Sequence, residues 1–402
     1  MVNIPSAARL RMLAEYPEAI CISLFLSTGR IGGETGQDQL KLRHALQEIE
    51  RRLKPYGLHA REREQLMAPL EALLDNESFW LHAARGLAIF RSPDLFRTYR
   101  LPNTLREQVM VGEHFSLKPL FPFISGDNRF YVLALSQNEV RLFEATRSSV
   151  RLLDLPDTVP QSLAQTLQYD EAENQLEYHS SASGATVGRG GRHPAIFHGQ
   201  GVGIDDTKDH LQRYCQQIDR GLHDLLHAEE EPLVLVGVEY LQSIYRQINS
   251  YPHLLAVGVA GNPDRLKAEA IHRQAWGVVE AFFQRPRQEA VARYQQYRET
   301  ERASAEVSKI LPAAYYGQVE SLFVAGDREL WGRFDQANNI MYIHREAANG
   351  DEDLLDRAAV QTFLHEGVVY VVEQAEMPDC ALMAAVFRYP LSSAEESRMI
   401  HE

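Results

Sequence analysis

Apolar residues early in the chain fall into two rhythms. Ile20 to Leu26 is a short unbroken apolar run rich in strand formers, and it predicts a buried strand. Between Gln39 and Leu53 the residues Leu40, Leu42, Leu46 and Ile49 recur at helical spacing, and Lys54-Pro55-Tyr56-Gly57 supplies the stop. A second helix is expected from Arg61 to Leu74. Strands over Gly86–Phe90 and Phe96–Leu101 then follow, joined across Ser92-Pro93-Asp94.

Near Ser125-Gly126-Asp127-Asn128 the pattern restarts. Phe130–Ser136, Val140–Ala145 and Ser149–Leu155 are strand-like runs separated by polar turns at Asn138 and Arg147-Ser148, which predicts an antiparallel meander. A helix around Pro160–Leu167 and a short polar strand ending near His179 come next. Asp205-Asp206-Thr207 reads as an N-cap cluster for a helix from Thr207 to Leu226. Leu211, Tyr214, Ile218, Leu222 and Leu225 would form its apolar face. Leu233–Val238 is a continuous apolar run of strand length, and a helix over Gln242–Ile248 and a strand over Leu254–Val259 complete the alternation.

The last third opens on a polar helical pattern from Lys267 to Thr300, expected to break at Pro286. Val307–Gly317 predicts a helix, Val319–Val324 a strand, and the acidic loop Gly350–Asp353 leads into a helix over Leu354–Glu366. Val368–Val372 and Leu382–Phe387 predict two further core strands. The expected fold class is α/β in three domains: an N-terminal α/β unit over 1–124, a middle domain over 125–266 carrying a long loop at 179–204, and a C-terminal α/β/α sandwich over 267–402.

Bulk properties narrow the function classes. A chain of 402 residues with 45% hydrophobic and 24% charged content has the composition of globular domains. No apolar run approaches the roughly 20 residues that cross a bilayer, and no secretory pattern opens the chain, so no membrane partner is expected. The 3 cysteines, Cys21, Cys215 and Cys380, lie far apart without metal-type spacing, which predicts reduced thiols and a cytoplasmic location. A formal charge of −14 means that the protein as a whole repels polyanions, so any contact with nucleic acid needs a local basic patch.

One such patch exists. From Tyr178 to Ile204 there is no acidic residue, and the stretch holds Arg189, Gly190, Gly191, Arg192, His193, His198, Gly199 and Gln200. Glycines let a backbone approach a ligand closely, and the arginines and histidines can meet phosphates. The plainer alternative is a flexible surface loop.

Other chemistries find less. The spacing Gly199-x-Gly201-x-Gly203 is not a dinucleotide fingerprint, and no phosphate-loop motif occurs, so no nucleotide cofactor is expected. His223 and His227 stand one helical turn apart and could share a metal in a hydrolase. Asp224 then occupies the general-base position, and Glu229, Glu230 and Glu231 lie too near the helix end to complete the site. Glu144 and Glu239, at predicted strand ends, have no evident partner for metal-dependent nuclease chemistry, and no serine elbow is present. Arg285, Arg287, Arg293, Arg298 and Arg302, interleaved with Tyr294 and Tyr297, read as a solvated interdomain helix sooner than as an RNA contact. An adaptor with no RNA partner, its acidic surface binding basic proteins, is the reading from a third class.

The order of parts carries a resemblance. A three-strand meander, a long loop with Gly188-Arg189-Gly190-Gly191, a long helix and a buried strand resemble the middle domain of archaeo-eukaryotic release factors and Pelota. The helix Val307–Gly317 leading into Val319–Val324 is similar to the release factors' C-terminal domain. The whole resembles the bacterial branch of that superfamily. The resemblance implies an RNase-H-like middle domain and a C-terminal sandwich related to kink-turn-binding ribosomal proteins. It implies partners among the ribosome, rRNA and tRNA, and a role in translation stress, rescue or hibernation. Arg189, Arg192 and His193 would meet RNA, with Gly190, Gly191 and Gly199 allowing close packing. In the family the loop carries Gly-Gly-Gln and helps water attack the peptidyl-tRNA ester. Here Gly190 and Gly191 match the glycines, Arg192 occupies the glutamine position, and Gly199-Gln200-Gly201 follows His198. Whether an ester is hydrolysed stays open; Gln200 and His198 are the candidates if it is. The first block has neither the Asn-Ile-Lys-Ser nor the Tyr-x-Cys-x-x-x-Phe motif of stop-codon reading, so decoding is not expected.

Overall fold

The computed structural model describes residues 3–17, 20–29, 35–81, 84–124, 129–147, 149–168, 202–348, 350–391 and 397–401. They group into two compact units, one formed by Met1–Gly126 with Pro286–Glu402 and the other by Asp127–Arg285. Together they carry four sheets in a mixed α/β architecture.

The first unit begins with α1 (Ala7–Ala14), β1 (Cys21–Ser27), α2 (Thr35–Leu53), α3 (Ala60–Glu71), α4 (Glu77–Leu81), β2 (Gly86–Ser92), β3 (Leu95–Leu101), β4 (Gln108–Gly112) and α5 (Phe121–Ile124). Its strands form an antiparallel sheet in the order β3-β2-β1-β4. The apolar run of β1 is buried on both sides because successive side chains alternate between two cores. Ile22, Leu24 and Leu26 face Leu42, Ile49 and Leu70 of α2 and α3. Cys21 and Phe25 face the opposite way, into a core shared with Ile310, Leu355 and Met383 from the far end of the chain.

The second unit holds β5 (Phe130–Leu135), β6 (Val140–Ala145), β7 (Val150–Leu153), α6 (Val202–Leu226), β8 (Leu233–Gly237), α7 (Glu239–Ile248) and β9 (Val259–Ala260). It also takes the first half of α8 (Ala268–Tyr297). The sheet order is β7-β6-β5-β8-β9, with the meander antiparallel and β5, β8 and β9 parallel. The faces of α6 and α7 pack on one side of the sheet, and Ile271, Ala275 and Val279 of α8 on the other. Burying both faces explains why β8 reads as Leu-Val-Leu-Val without alternation.

The first unit then resumes with β10 (Ala303–Ser304), α9 (Val307–Tyr315), β11 (Val319–Ala325), β12 (Trp331–Asp335), β13 (Ile340–Ile343), β14 (Glu352–Asp353), α10 (Leu354–Leu364), β15 (Val368–Val372), β16 (Met383–Phe387) and β17 (Arg398–His401). One sheet runs β10-β16-β11-β15, covered by α9 and α10 on one face and by Ala290 and Tyr294 of α8 on the other. A second small sheet runs β14-β12-β13-β17.

Several expectations need correction. The helix expected to start at Thr207 begins at Val202, so positions 205 and 206 lie inside its span and not before it. Its buried face ends on Leu226, while Leu225 is exposed, because the contact register steps by four residues from Leu222. Pro286 does not break α8. Proline removes one intrahelical bond without ending the helix, whose apolar residues are buried on each side of that point, Val279 in one unit and Ala290 in the other. The strand expected over Leu254–Val259 reduces to a bridge between Leu254 and Leu233 and to the pair Val259–Ala260.

A buried polar seam ties the N-terminal sheet to α10. Asp356 accepts from the backbone N–H groups of Leu117 and Lys118 and from Ser116 Oγ at 3.3 Å. Lys118 Nζ donates to Asp353 at 2.7 Å, and both side chains are almost fully enclosed. Asp353 also caps α10 by accepting from Leu355 N. All three thiols are free; Cys21 and Cys215 are buried, and burial pushes each up to about 12, so they act as core residues.

Candidate nucleic-acid interface

The candidate loop residues Arg189, Gly190, Gly191, Arg192, His193, His198, Gly199 and Gln200 all lie outside the described residues, as does the strand expected near His179. What the structure describes is the frame on either side of them. Upstream, a helical stretch at 163–168 is fastened to the middle of α6, where Thr166 Oγ1 donates to Gln217 Oε1 at 3.1 Å. Downstream, α6 is anchored by Tyr214, whose buried hydroxyl donates to Ser136 O at 2.8 Å at the end of β5. Gly221 lets the helix approach the 158–159 turn so closely that a Cβ would stand 2.5 Å from Val159 Cγ2. At 1.5 Å per residue, α6 extends roughly 15 Å on the loop side of Gln217 before Thr207. The segment 169–201 thus lies in sequence between two elements of one unit that touch each other at Thr166 and Gln217.

His223 and His227 sit as their spacing predicts, with ring centroids 5.8 Å apart on α6. They line a small cavity of about 120 Å³ with Asp219, Tyr245 and Tyr251. Among the described residues no group of three His, Cys, Asp or Glu side chains could hold a metal. Asp219 is taken up by the backbone N–H of Ser250 at 2.9 Å. Glu229 and Glu231 are both bound by Arg129, the latter at 2.6 Å. Two imidazoles without a third donor give a weak site. Elemental analysis after dialysis is expected to find zinc well below one per chain, with His227→Gln indistinguishable from the parent.

Arg129 is a residue that sequence reasoning missed. It also pairs with Glu144 at 3.3 Å, and Glu144 in turn binds Arg151 at 2.5 Å. The carboxylate once without an evident partner thus has two. Burial raises its proton affinity, but the Arg151 and Arg129 guanidiniums outweigh it and hold Glu144 below the ordinary carboxylate range. A carboxylate so neutralised is poorly suited to metal-dependent nuclease chemistry.

The arginines in and just after α8 are likewise engaged. Arg287 pairs with Glu376 at 2.7 Å, Arg293 with Glu320, and Arg298 with Asp379 at 3.2 Å, while Arg302 lies over the Tyr297 ring at 4.4 Å. The carboxylate partners of Arg287, Arg293 and Arg298 lie in the same unit, so those three charges are compensated within the fold. No helix of the described residues is long and apolar enough to cross a membrane.

The second unit is thus an α/β domain, a five-stranded sheet with helices on both faces, and the acid-free stretch from Tyr178 to Ile204 falls in the sequence between β7 and the body of α6. Residues 130–281 of the chain match the model of Bacterial archaeo-eukaryotic release factor family 7. Similar solved structures include an archaeal translation termination factor, aRF1, at 13% identity and TM-score 0.23 over 95% of this chain and 97% of that one. Another is Dom34 of S. cerevisiae, at 10% identity and TM-score 0.38 over 75% and 76%. Pelota from Archaeoglobus fulgidus follows at 11% identity and TM-score 0.30 over 76% and 81%. These superpositions are too loose to fix the placement of any element. No curated protein matches the sequence.

Proposed function

We propose that this protein is a cytoplasmic, ribosome-associated factor acting in translation stress, rescue or hibernation, with the 179–204 loop reaching a tRNA-type site. One observation carries the reading: the acid-free stretch from Tyr178 to Ile204, in a chain of net charge −14, falls inside the segment that matches a release factor family. On this reading the middle domain is RNase-H-like, which the order β7-β6-β5-β8-β9 supports, and the sheet of β10, β11, β15 and β16 belongs to a sandwich related to kink-turn-binding ribosomal proteins. Arg189, Arg192 and His193 contact phosphates of rRNA or tRNA, while Gly190, Gly191 and Gly199 permit close backbone approach. If the ester of a peptidyl-tRNA is cleaved, Gln200 and His198 are the candidates to assist water. No nucleotide cofactor takes part.

Co-sedimentation with ribosomes over a salt series tests this. The parent chain is expected to pellet with ribosomes, and a loop-deleted variant to remain in the supernatant. Replacing Arg189 and Arg192 together by alanine is expected to flatten the dependence of log affinity on log salt by roughly 1.5, since each lost phosphate contact removes slightly less than one from the slope. Equal, negligible pelleting of parent and deletion rules the proposal out. Recovery of a protein partner without RNA would then favour an adaptor.

A further inference from the structure

A cavity of about 530 Å³ opens in the first unit between β4, β12 and the N-terminal half of α10. Its size falls in the range of sites for small organic molecules and exceeds what an ion needs. The walls include Tyr56, Glu113, Tyr315, Arg333, Phe334 and Arg357. Most charges around it are occupied. Asp351 accepts from His344 Nδ1 at 2.7 Å and from Ala348 N at 2.8 Å, and pairs with Arg333 at 3.3 Å. Glu352 pairs with Arg357 at 3.0 Å and with His114 at 3.6 Å.

Two opposite charges are left incompletely engaged. Arg357, with a side chain only 9% exposed, uses Nε and Nη2 on the Tyr315 hydroxyl and Nε on Glu352. Among the described residues nothing takes up its Nη1. Glu113, at the open side, has no hydrogen bond or ion pair with any described residue. A ligand anion at Nη1 would add a charge-assisted hydrogen bond to a guanidinium that Tyr315 and Glu352 already hold in place. A pure anion such as phosphate would meet Glu113, Asp351 and Glu352 as well, and a pure cation would meet Arg357. A molecule carrying both charges satisfies both ends. The rings of Tyr56, Tyr315 and Phe334 offer apolar area and ring faces for an ammonium.

We propose that this cavity binds a small zwitterion of the dipeptide class, its carboxylate against Arg357 and Arg333 and its ammonium against Glu113. The site is independent of the ribosomal reading, since none of these residues belongs to the loop or to the segment that matches the family. Calorimetry on the full chain tests it with glycyl-L-phenylalanine, its N-acetyl derivative and its C-terminal amide. The free dipeptide is expected to bind, and each blocked form to bind at least about tenfold more weakly through the loss of one charge-assisted contact. Glu113→Gln, at an exposed position that holds nothing else, should weaken the free dipeptide about fivefold to tenfold and leave the N-acetyl form unchanged. Absence of binding by the free dipeptide, equal affinity for all three ligands, or an equal loss on free and acetylated forms overturns the proposal.

Discussion

Replacing Asp356 by alanine is expected to lower the free energy of unfolding by about 3–5 kcal/mol, read as a lower denaturant midpoint at unchanged slope. The carboxylate is the acceptor for two backbone N–H groups, those of Leu117 and Lys118, neither of which can reach water once the seam has formed. An orphaned buried donor costs about 1–3 kcal/mol, so two of them account for most of the effect. The pH dependence is a sharper signature. Burial, with the nearby Asp353 carboxylate adding to it, pushes the Asp356 acid up to about 6 against the pull of the Leu117 and Lys118 donors. The folded value thus lies above the ordinary carboxylate value near 4. Between the two, the native state holds a proton that the unfolded chain has released, so stability falls as pH rises through this window. The contribution is fully favourable below about pH 4 and lost above about pH 6, a span of roughly 2–3 kcal/mol. Asp356→Asn removes the titration while keeping an acceptor oxygen. The difference in stability between parent and D356N should therefore vary across that window and be flat outside it. A difference independent of pH would show that Asp356 stays ionised throughout.

This seam also marks where the sequence stops being informative. Local rhythm revealed β1, β8, the β5-β6-β7 meander and the body of α6, because each is specified by the spacing of its own residues. It misjudged Leu225 against Leu226, where one residue of register decides which leucine is buried. Pro286 was misread because the neighbours that hold α8 together lie on other elements. The sheet of β12, β13, β14 and β17 was invisible, since its strands are short, half-polar and paired in part with a strand at the far end of the chain. Nothing in a linear pattern links Lys118 to Asp356 across 238 positions. The candidate sites divide in the same way. The cationic, acid-free stretch stands out in the sequence because that signal is compositional and contiguous. The dipeptide cavity does not, because Tyr56, Glu113, Arg333 and Arg357 converge only in the folded unit.

Gly221→Val is expected to destabilise the second unit by about 3 kcal/mol or more, whereas Gly277→Ala is expected to stabilise it by roughly 0.5–1 kcal/mol. Both glycines lie inside helices, where propensity alone favours alanine over glycine by about 1 kcal/mol and valine by somewhat less. Their surroundings set the opposite signs. A Cβ at Gly277 would have nothing within 4 Å, so only the loss of unfolded-state freedom counts. At Gly221 a Cβ would stand 2.5 Å from Val159 Cγ2, 3.1 Å from Val159 N and 3.2 Å from the Thr158 carbonyl carbon. The Val159 methyl can rotate away, but the backbone of the turn cannot, and the two γ-methyls of valine would press directly on it. The helix would have to retreat from the 158–159 turn, pulling Ile218 and Leu222 out of the core they share with Leu133 and Leu235. The consequence reaches the loop, because the contact of Thr166 with Gln217 lies one turn further along the same helix. Hydrogen exchange should accordingly show faster exchange in α6 and in the stretch 163–168 for G221V, with the sheet of β10, β11, β15 and β16 unchanged. Protection retained in α6 would mean that the turn yields instead, and that the close approach at Gly221 is not what seats the helix.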